Sequence, residues 1–267
     1  MRTLAAAGHR PEPTVRKALT VATTLRVALA LAVFAVPAAG QDVLTYHNDN
    51  ARTGQNLGET ILTPANVNST TFGKLFILPA DGKVDAEPLY LSSVTLPDTT
   101  THNIVYVATE HDSVYAYDAD TGAQLWKATM LLAGETTSDT RSCSQVTPEI
   151  GITATPAIDR TAGTHGIIYV VAMSKDSSGN YHQRFHALDV TTGAEEFGGP
   201  AEITGSYPGT GDNSNGTDVI FDAKQYKERA SLLILGHTVY LGFSSHCDIR
   251  PYTLWIFGYD ETALTQT

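Results

Sequence analysis

Between positions 105 and 126 the chain alternates in a period of two. Val105, Val107 and Thr109 are interleaved with Tyr106 and Ala108, a polar break Glu110-His111-Asp112 follows, and Val114-Tyr115-Ala116-Tyr117 resumes the run. β-Branched and aromatic residues in this pattern suit a pleated, half-buried surface, so the stretch predicts two strands joined by a tight polar turn. Asp118-Ala119-Asp120-Thr121-Gly122 then predicts a second turn, in which a carboxylate accepts from backbone amides and Gly122 takes positive φ. A third strand begins at Leu125-Trp126.

The stretch recurs. Asp189 in Leu188-Asp189-Val190-Thr191-Thr192-Gly193 and Asp260 in Tyr259-Asp260-Glu261-Thr262 follow Asp118 at equal intervals of 71 positions. Ala116, Ala187 and Gly258 keep step, as do Trp126 and Phe197, and Tyr106, Tyr169 and Tyr240 each sit between apolar residues in the first strand of the pair. One small sheet cannot bury both its faces alone, so a repeated four-strand unit with an Asp-x-x-Thr-Gly turn and a following aromatic predicts a β-propeller or a related array.

The repeat resembles the blade of pyrroloquinoline-quinone-type (PQQ-like) propellers. The likeness is strongest over 105–126, clear over 168–197, and weaker over 239–260, where Leu264 replaces the turn glycine; in all it covers 74–264. The resemblance implies an all-β partial propeller of about three four-stranded antiparallel blades (84–130, 152–203 and 230–264) within 74–267. The family contains periplasmic alcohol and sugar dehydrogenases and also non-enzymatic assembly factors, so the repeat speaks to architecture before activity. Its active members hold the quinone over calcium, between an aromatic floor and, in many, adjacent cysteines, with an Asp as base. This chain has no Cys-Cys pair, Trp126 and Trp255 are explained by packing, and no Asp takes the base role from a motif. PQQ with calcium is thus the cofactor set implied for a dehydrogenase, with no binding residue assigned. Family rings close with seven or eight blades, so three predict either a fragment of a longer chain or a ring completed by other copies.

Arg2, Arg10, Arg16, Lys17 and Arg26 precede an apolar run at 27–36, with small residues for cleavage at Ala38-Ala39-Gly40. A run this short predicts a secretory signal peptide over 1–40, hence a secreted or periplasmic protein with no membrane span after cleavage. The formal charge is −11, and without residues 1–40 it becomes −15, from 12 Lys/Arg against 27 Asp/Glu. Such a surface repels phosphate backbones and argues against nucleic acid as a partner.

Residues 41–73 are polar, rich in Asn and Thr and without periodicity, and predict an irregular N-terminal arm. A strand at 74–78 takes the place of a fourth, outer strand. Inner strands are expected at 84–91, 152–158 and 230–235, with Pro88 and Pro156 at matching places, as suits strands with one unpaired edge. In a meander of strands A to D, the D-to-A and B-to-C connections share a face. The long connections 132–151 and 204–229 therefore lie with the loops 174–180 and 245–253, and this face is expected to bind a protein or small-molecule ligand.

Both cysteines of the chain, Cys143 and Cys247, fall on that face, and in an exported protein they predict a disulfide. Candidate polar residues of the face are Glu110, His111, Asp176, His182, Arg184, His246, Asp248 and Arg250, with Asp112 and His186 nearby. No pair has the spacing of a metal motif, so a metal site is not assigned and structural or solvated roles are favoured. The segment 212–218 reads as an Asx-rich turn, since its ligand order departs from an EF-hand. A glycan hydrolase would need paired carboxylates, for which Asp85 and Glu87 are the available residues. The preferred reading is an exported binding scaffold, and the alternative is a quinone-dependent dehydrogenase acting on an alcohol or sugar.

Overall fold

Period-two apolar runs become strands in the computed structural model, which describes residues 40–267; positions 1–39, with nearly all of the predicted signal peptide, lie outside the described residues. β1 (Leu89–Thr95), β2 (Thr101–Ala108), β3 (Ser113–Asp118) and β4 (Gln124–Thr129) form a four-stranded antiparallel meander in chain order. β5 (Thr136–Asp139) and β6 (Glu149–Ile150) belong to the long connection that follows. β7 (Ala157–Asp159), β8 (Ile167–Lys175), β9 (Tyr181–Asp189) and β10 (Ala201–Glu202) then repeat the meander. After a hairpin of β11 (Ser206–Pro208) and β12 (Asp218–Ile220), β13 (Tyr226–Leu235), β14 (Thr238–Ser245) and β15 (Trp255–Asp260) make the third sheet. Gln266 bridges Tyr259 where a fourth strand belongs. The described residues contain one 3₁₀ turn, His246–Asp248, and no α-helix.

The three tyrosines occupy matching places. Tyr106 lies opposite Ala116, Tyr169 opposite Ala187 and Tyr240 opposite Gly258. On the other side their partners are Leu89, Ala157 and Leu233. Side chains alternate between faces, so β8 feeds two cores. Ile168, Val170 and Ala172 pack with Leu89, Ile104, Tyr106 and Val114, while Ile167, Tyr169 and Val171 pack with Val239, Leu241, Phe243 and Phe257. This is why the β8 sequence is a nearly unbroken apolar run: neither face meets water.

A repeated lock joins successive sheets. The Tyr106 hydroxyl donates to the Val190 carbonyl of the next sheet at 3.0 Å, and Tyr169 donates to the Glu261 carbonyl of the sheet after at 2.9 Å. Each acceptor follows the turn aspartate by one residue. Indole Nε1 of Trp126 donates to the same Val190 carbonyl at 3.1 Å. Each hydrogen bond contributes on the order of 1 kcal/mol net, less than burial of the ring that carries it. The third tyrosine has no following sheet among the described residues, and Tyr240 and Ile256 on that face are 38% and 70% exposed.

The turns repeat in detail. One carboxylate oxygen of Asp118 accepts from the Asp120 amide at 3.0 Å and from the Thr121 amide and hydroxyl, each at 2.7 Å. Asp260 accepts from the Thr262 amide and hydroxyl, each at 2.9 Å, and from the Ala263 amide at 2.8 Å. Asp189 binds Thr191 and Thr192 in the same way. The residue four beyond the aspartate has φ of 75° at Gly122, 70° at Gly193 and 51° at Leu264. Leu264 therefore holds a left-handed conformation that glycine adopts without steric cost, and its burial in the core offsets the strain.

Four expected strands differ. Residues 74–78 form no strand; they lie across the outer face of the first sheet, where Phe76 packs against Gly122 and Leu78 against Val107, Tyr115 and Tyr117. A ladder needs a neighbouring edge, and this segment covers a face instead. The first inner strand begins at Leu89 rather than 84, and the second is reduced to Ala157–Asp159. Backbone groups before them bond to other elements: the Glu87 amide donates to Thr155 Oγ1 at 2.9 Å and the Ile152 amide to the Thr109 carbonyl at 3.2 Å. The third inner strand is longer than expected, Tyr226–Leu235, with two register shifts.

The irregular arm runs along the inner edges of all three sheets. Val43 bridges Tyr90, the Leu44 carbonyl accepts from the Ile158 amide at 2.8 Å, and the Arg52 guanidinium donates to the Leu232 carbonyl at 2.9 Å. It thereby pairs backbone groups that the inner strands leave open.

Candidate functional site

Both long connections fold into small structures of their own. The first contributes β5 and β6, and Thr136 and Thr137 of β5 pair with Lys175 and Ser174, which extends the second sheet on this face. Cys143 follows, and its sulfur is joined to that of Cys247 in the 3₁₀ turn, with Cα atoms 6.2 Å apart across 104 residues. The second connection carries the β11–β12 hairpin. Its Asp212 accepts from Nε and an Nη of Arg250 at 3.0 and 3.1 Å, and Asn215 accepts from the amides of Thr217 and Asp218, so 212–218 is an Asx turn tied to Arg250.

The candidate residues lie in separate places, and His246 is buried in the 3₁₀ turn with its Nε2 donating to the Thr140 carbonyl. Arg184 makes a bidentate pair with Glu135, both contacts at 2.8 Å, and a third contact with Glu202 at 2.8 Å. His182 Nδ1 meets the other Glu202 oxygen at 2.8 Å, and its Nε2 lies 3.6 Å from Asp176. Burial opposes the Arg184 charge, but the Glu135 and Glu202 carboxylates outweigh it and raise its pKa. Arg184 is therefore a buried structural cation. His111 Nδ1 lies 3.0 Å from both Glu149 oxygens, at the exposed rim. Asp248 and Arg250 are exposed, whereas Glu110 is fully buried. The eight residues thus do not converge on one site.

A second set does converge: it joins Glu110 and Asp112, both among those expectations, to Lys227 and Glu228, which were not. Glu110 is buried; one oxygen accepts from the Gly151 amide at 2.9 Å and Thr153 Oγ1 at 3.0 Å, and the other has no partner. Asp112 and Glu228 are buried with both carboxylate oxygens unpartnered, and Lys227 is buried with its amine unpartnered. Burial pushes Glu110, Asp112 and Glu228 up from the ordinary carboxylate range, and for Asp112 the Glu110 charge adds to it. Burial holds Lys227 down at about 8, with the Glu110 carboxylate opposing the shift and Arg229 reinforcing it. Lys227 and Glu228 line a small enclosed space with Thr153 and Gln183. The only signal for them in the sequence is the aromatic Tyr226 ahead of a charged run, which marks a strand with a core face.

The carboxylate at 228 gives a pH test. An acid whose pKa is raised by folding keeps its proton in the native state, so its contribution is whole below about 4.5, the ordinary value, and is lost as pH climbs through the raised value. Glu228→Gln removes that loss. The stability difference between the variant and the parent is expected to grow in the variant's favour as pH rises from acidic to mildly alkaline. Urea titrations of both proteins read the difference directly, and parallel stability curves would contradict the burial of an unpaired carboxylate.

The residues do not fit the quinone and calcium set. Among the described residues no group of three or more His, Cys, Asp or Glu side chains is placed to hold a metal ion. Trp126 is committed to the lock on Val190, and Trp255 stacks on Phe257 at 5.5 Å within the core, so neither offers a free aromatic floor. Cys143, in the first long connection, and Cys247, in the 3₁₀ turn, are bonded across 104 residues and are not an adjacent pair.

Repeated antiparallel meanders, matched register and matched interlocks define the described residues as part of a β-propeller. No family model matches the chain, and no curated protein matches it. Among solved structures, quinohemoprotein alcohol dehydrogenase ADHIIG from Pseudomonas putida HK5 is similar at 18% identity and a TM-score of 0.41, over 71% of this chain and 20% of that one. A quinohemoprotein alcohol dehydrogenase from Comamonas testosteroni is similar at 14% identity and a TM-score of 0.39, over 85% and 40%. BamB from Moraxella catarrhalis is similar at 14% identity and a TM-score of 0.22, over 67% and 63%. The chain thus spans between a fifth and just under two thirds of the length of these proteins. Among the described residues no helix is long and apolar enough to cross a membrane.

Proposed function

We propose that the protein is an exported binding scaffold that engages its partner, a protein or a small molecule, through the long-loop face. The observation that carries this reading is the contrast between the two faces. Connections of the long-loop face are folded hairpins pinned by Cys143–Cys247, Arg184–Glu135 and Arg250–Asp212, while the opposite face has tight Asp-centred turns. Ordering a long loop costs conformational entropy, and a pre-ordered surface reduces what a partner must supply on binding. Tyr207, Tyr252 and Leu254 are exposed on these connections, where aromatic side chains can serve as anchors.

Photo-crosslinkers placed at 207 and 252 are expected to capture a discrete exported protein of the host, and crosslinkers at 95 and 121 on the opposite face are not. Equal capture from both faces would end the reading. Dye reduction upon adding PQQ and calcium to the full chain would replace it with the dehydrogenase.

A further inference from the structure

On the long-loop face a chamber of about 400 Å³ is lined by Gln145, Lys227, Arg229, Ser244, Ser245 and His246. Its lining carries cationic and neutral polar groups and no carboxylate, although the chain as a whole has a formal charge of −11. Two walls of the chamber are set by the disulfide, since Gln145 lies two residues beyond Cys143 and His246 precedes Cys247.

Lys227 is the anomaly. Its side chain projects from β13 opposite Ser244, it is 4% exposed, and its amine has neither a hydrogen-bond nor an ion-pair partner among the described residues. An ammonium carries three donors, and leaving them all unpaired in a buried site is costly. Glu110 attracts it from the interior, where one oxygen of that carboxylate accepts from Gly151 and Thr153 and the other has no partner, yet neither oxygen is within hydrogen-bond reach of the amine. Arg229, two positions along the strand, is exposed and permanently charged. The chamber therefore grades from a fixed positive charge at its mouth to an amine at its depth that burial makes easier to deprotonate. His246 lies beside them; its Nε2 donates to the Thr140 carbonyl at 3.2 Å, which leaves Nδ1 as a lone pair with no partner.

A simple inorganic anion would use the charge at the mouth and ignore the rest. A compact ligand with a carboxylate at one end and an electrophilic carbonyl carbon beside it uses both. We propose that this chamber receives a small 2-oxo acid, its carboxylate held by Arg229 and its carbonyl carbon presented to the Lys227 amine, which forms a reversible imine. The nitrogen lone pair attacks the carbonyl carbon, the C–O π electrons pass to oxygen, and that oxygen takes up a proton as nitrogen loses one. Loss of water then gives the C=N bond, with no net oxidation or reduction. The proposal names a ligand for the face assigned above and so rests on that reading, but its test does not share the crosslinking result.

The full chain, disulfide intact, is incubated with pyruvate and cyanoborohydride, which reduces an imine to a secondary amine, and is then digested for mass spectrometry. The peptide carrying Lys227 is expected to gain the mass of pyruvate less one oxygen, about tenfold above the exposed Lys224, a preference of roughly 1.4 kcal/mol. Acetone, which lacks the carboxylate, is expected to label Lys227 poorly, and Arg229→Gln to lower pyruvate labelling while Lys224 labelling stays constant. Labelling of Lys227 no greater than that of Lys224, or equal labelling by acetone, would overturn the proposal. A crosslinked protein partner would stand in either case.

Discussion

Gly193→Ala is expected to destabilise the protein by about 3–5 kcal/mol, well beyond the effect of a glycine in an open turn. Gly193 has φ of 70°, and a Cβ built there would lie 2.6 Å from Cε3 of Trp126 and 2.8 Å from Cζ3. The ring cannot retreat cheaply, because its Nε1 is held by the Val190 carbonyl and it packs beside Tyr106 with centroids 5.9 Å apart. Either the turn opens or the indole leaves the interface between the first two sheets, and both routes break the lock. Gly179 is the control. It also has positive φ, 86°, but nothing lies within 4 Å of its added Cβ, so Gly179→Ala should cost only the conformational term, about 1 kcal/mol. Urea midpoints of the two variants measure the contrast. Equal losses would mean that Trp126 does not seat on the turn of the next sheet, and the interlock would have to be abandoned.

That interlock also explains which parts of the fold were legible in the sequence. The Asp118, Asp189 and Asp260 turns and the Tyr106, Tyr169 and Tyr240 register depend on local turn chemistry and a period of two, both written within a dozen residues. Strand ends were not legible at 84–88 and 152–156, because their backbone groups bond to sheets distant in the chain. One repeated feature was present and passed over. His102 at the start of β2, and His165 and His237 just before β8 and β14, place Nδ1 against Asp118, Asp189 and Glu261, the last replacing the turn aspartate by its neighbour. Aligning the copies would have shown a histidine in each; their spacing to the turn varies, which hid it.

The candidate site was less legible for a different reason. His111, Arg184 and Arg250 are conspicuous in the sequence because they are polar, yet each is paired with a carboxylate from another loop, Glu149, Glu135 or Asp212. Lys227 and Glu228 lie in Tyr226-Lys227-Glu228-Arg229, a run that reads as solvated, and only the packing of three sheets makes it interior. Burial is a property of the assembled sheets, whereas charge is a property of the residue, so composition finds paired ions before unpaired ones.

The second large effect is expected from opening the Cys143–Cys247 link. The bond closes a loop of 104 residues, and in the entropic model such a constraint contributes about 4–5 kcal/mol by restricting the unfolded chain. For a domain of this size that corresponds to a fall in Tm of roughly 10–20 °C. The variant Cys143→Ala/Cys247→Ala should show the full fall and be indifferent to reductant, while the parent should reach the same Tm once reduced. The two effects differ in where they act. Gly193→Ala strikes the contact between the first and second sheets, whereas loss of the link frees the first long connection from the 3₁₀ turn of the third. Amide exchange should therefore accelerate first in 136–150 and 245–250 on reduction, and around Val190 in Gly193→Ala. Unchanged Tm in the reduced parent would show that the long-loop face is held by its ion pairs alone, and the rigid surface required of a scaffold would then have to come from Arg184–Glu135 and Arg250–Asp212. Arg250 and its partner are too exposed to carry that weight by themselves, since surface pairs contribute at most about 1 kcal/mol.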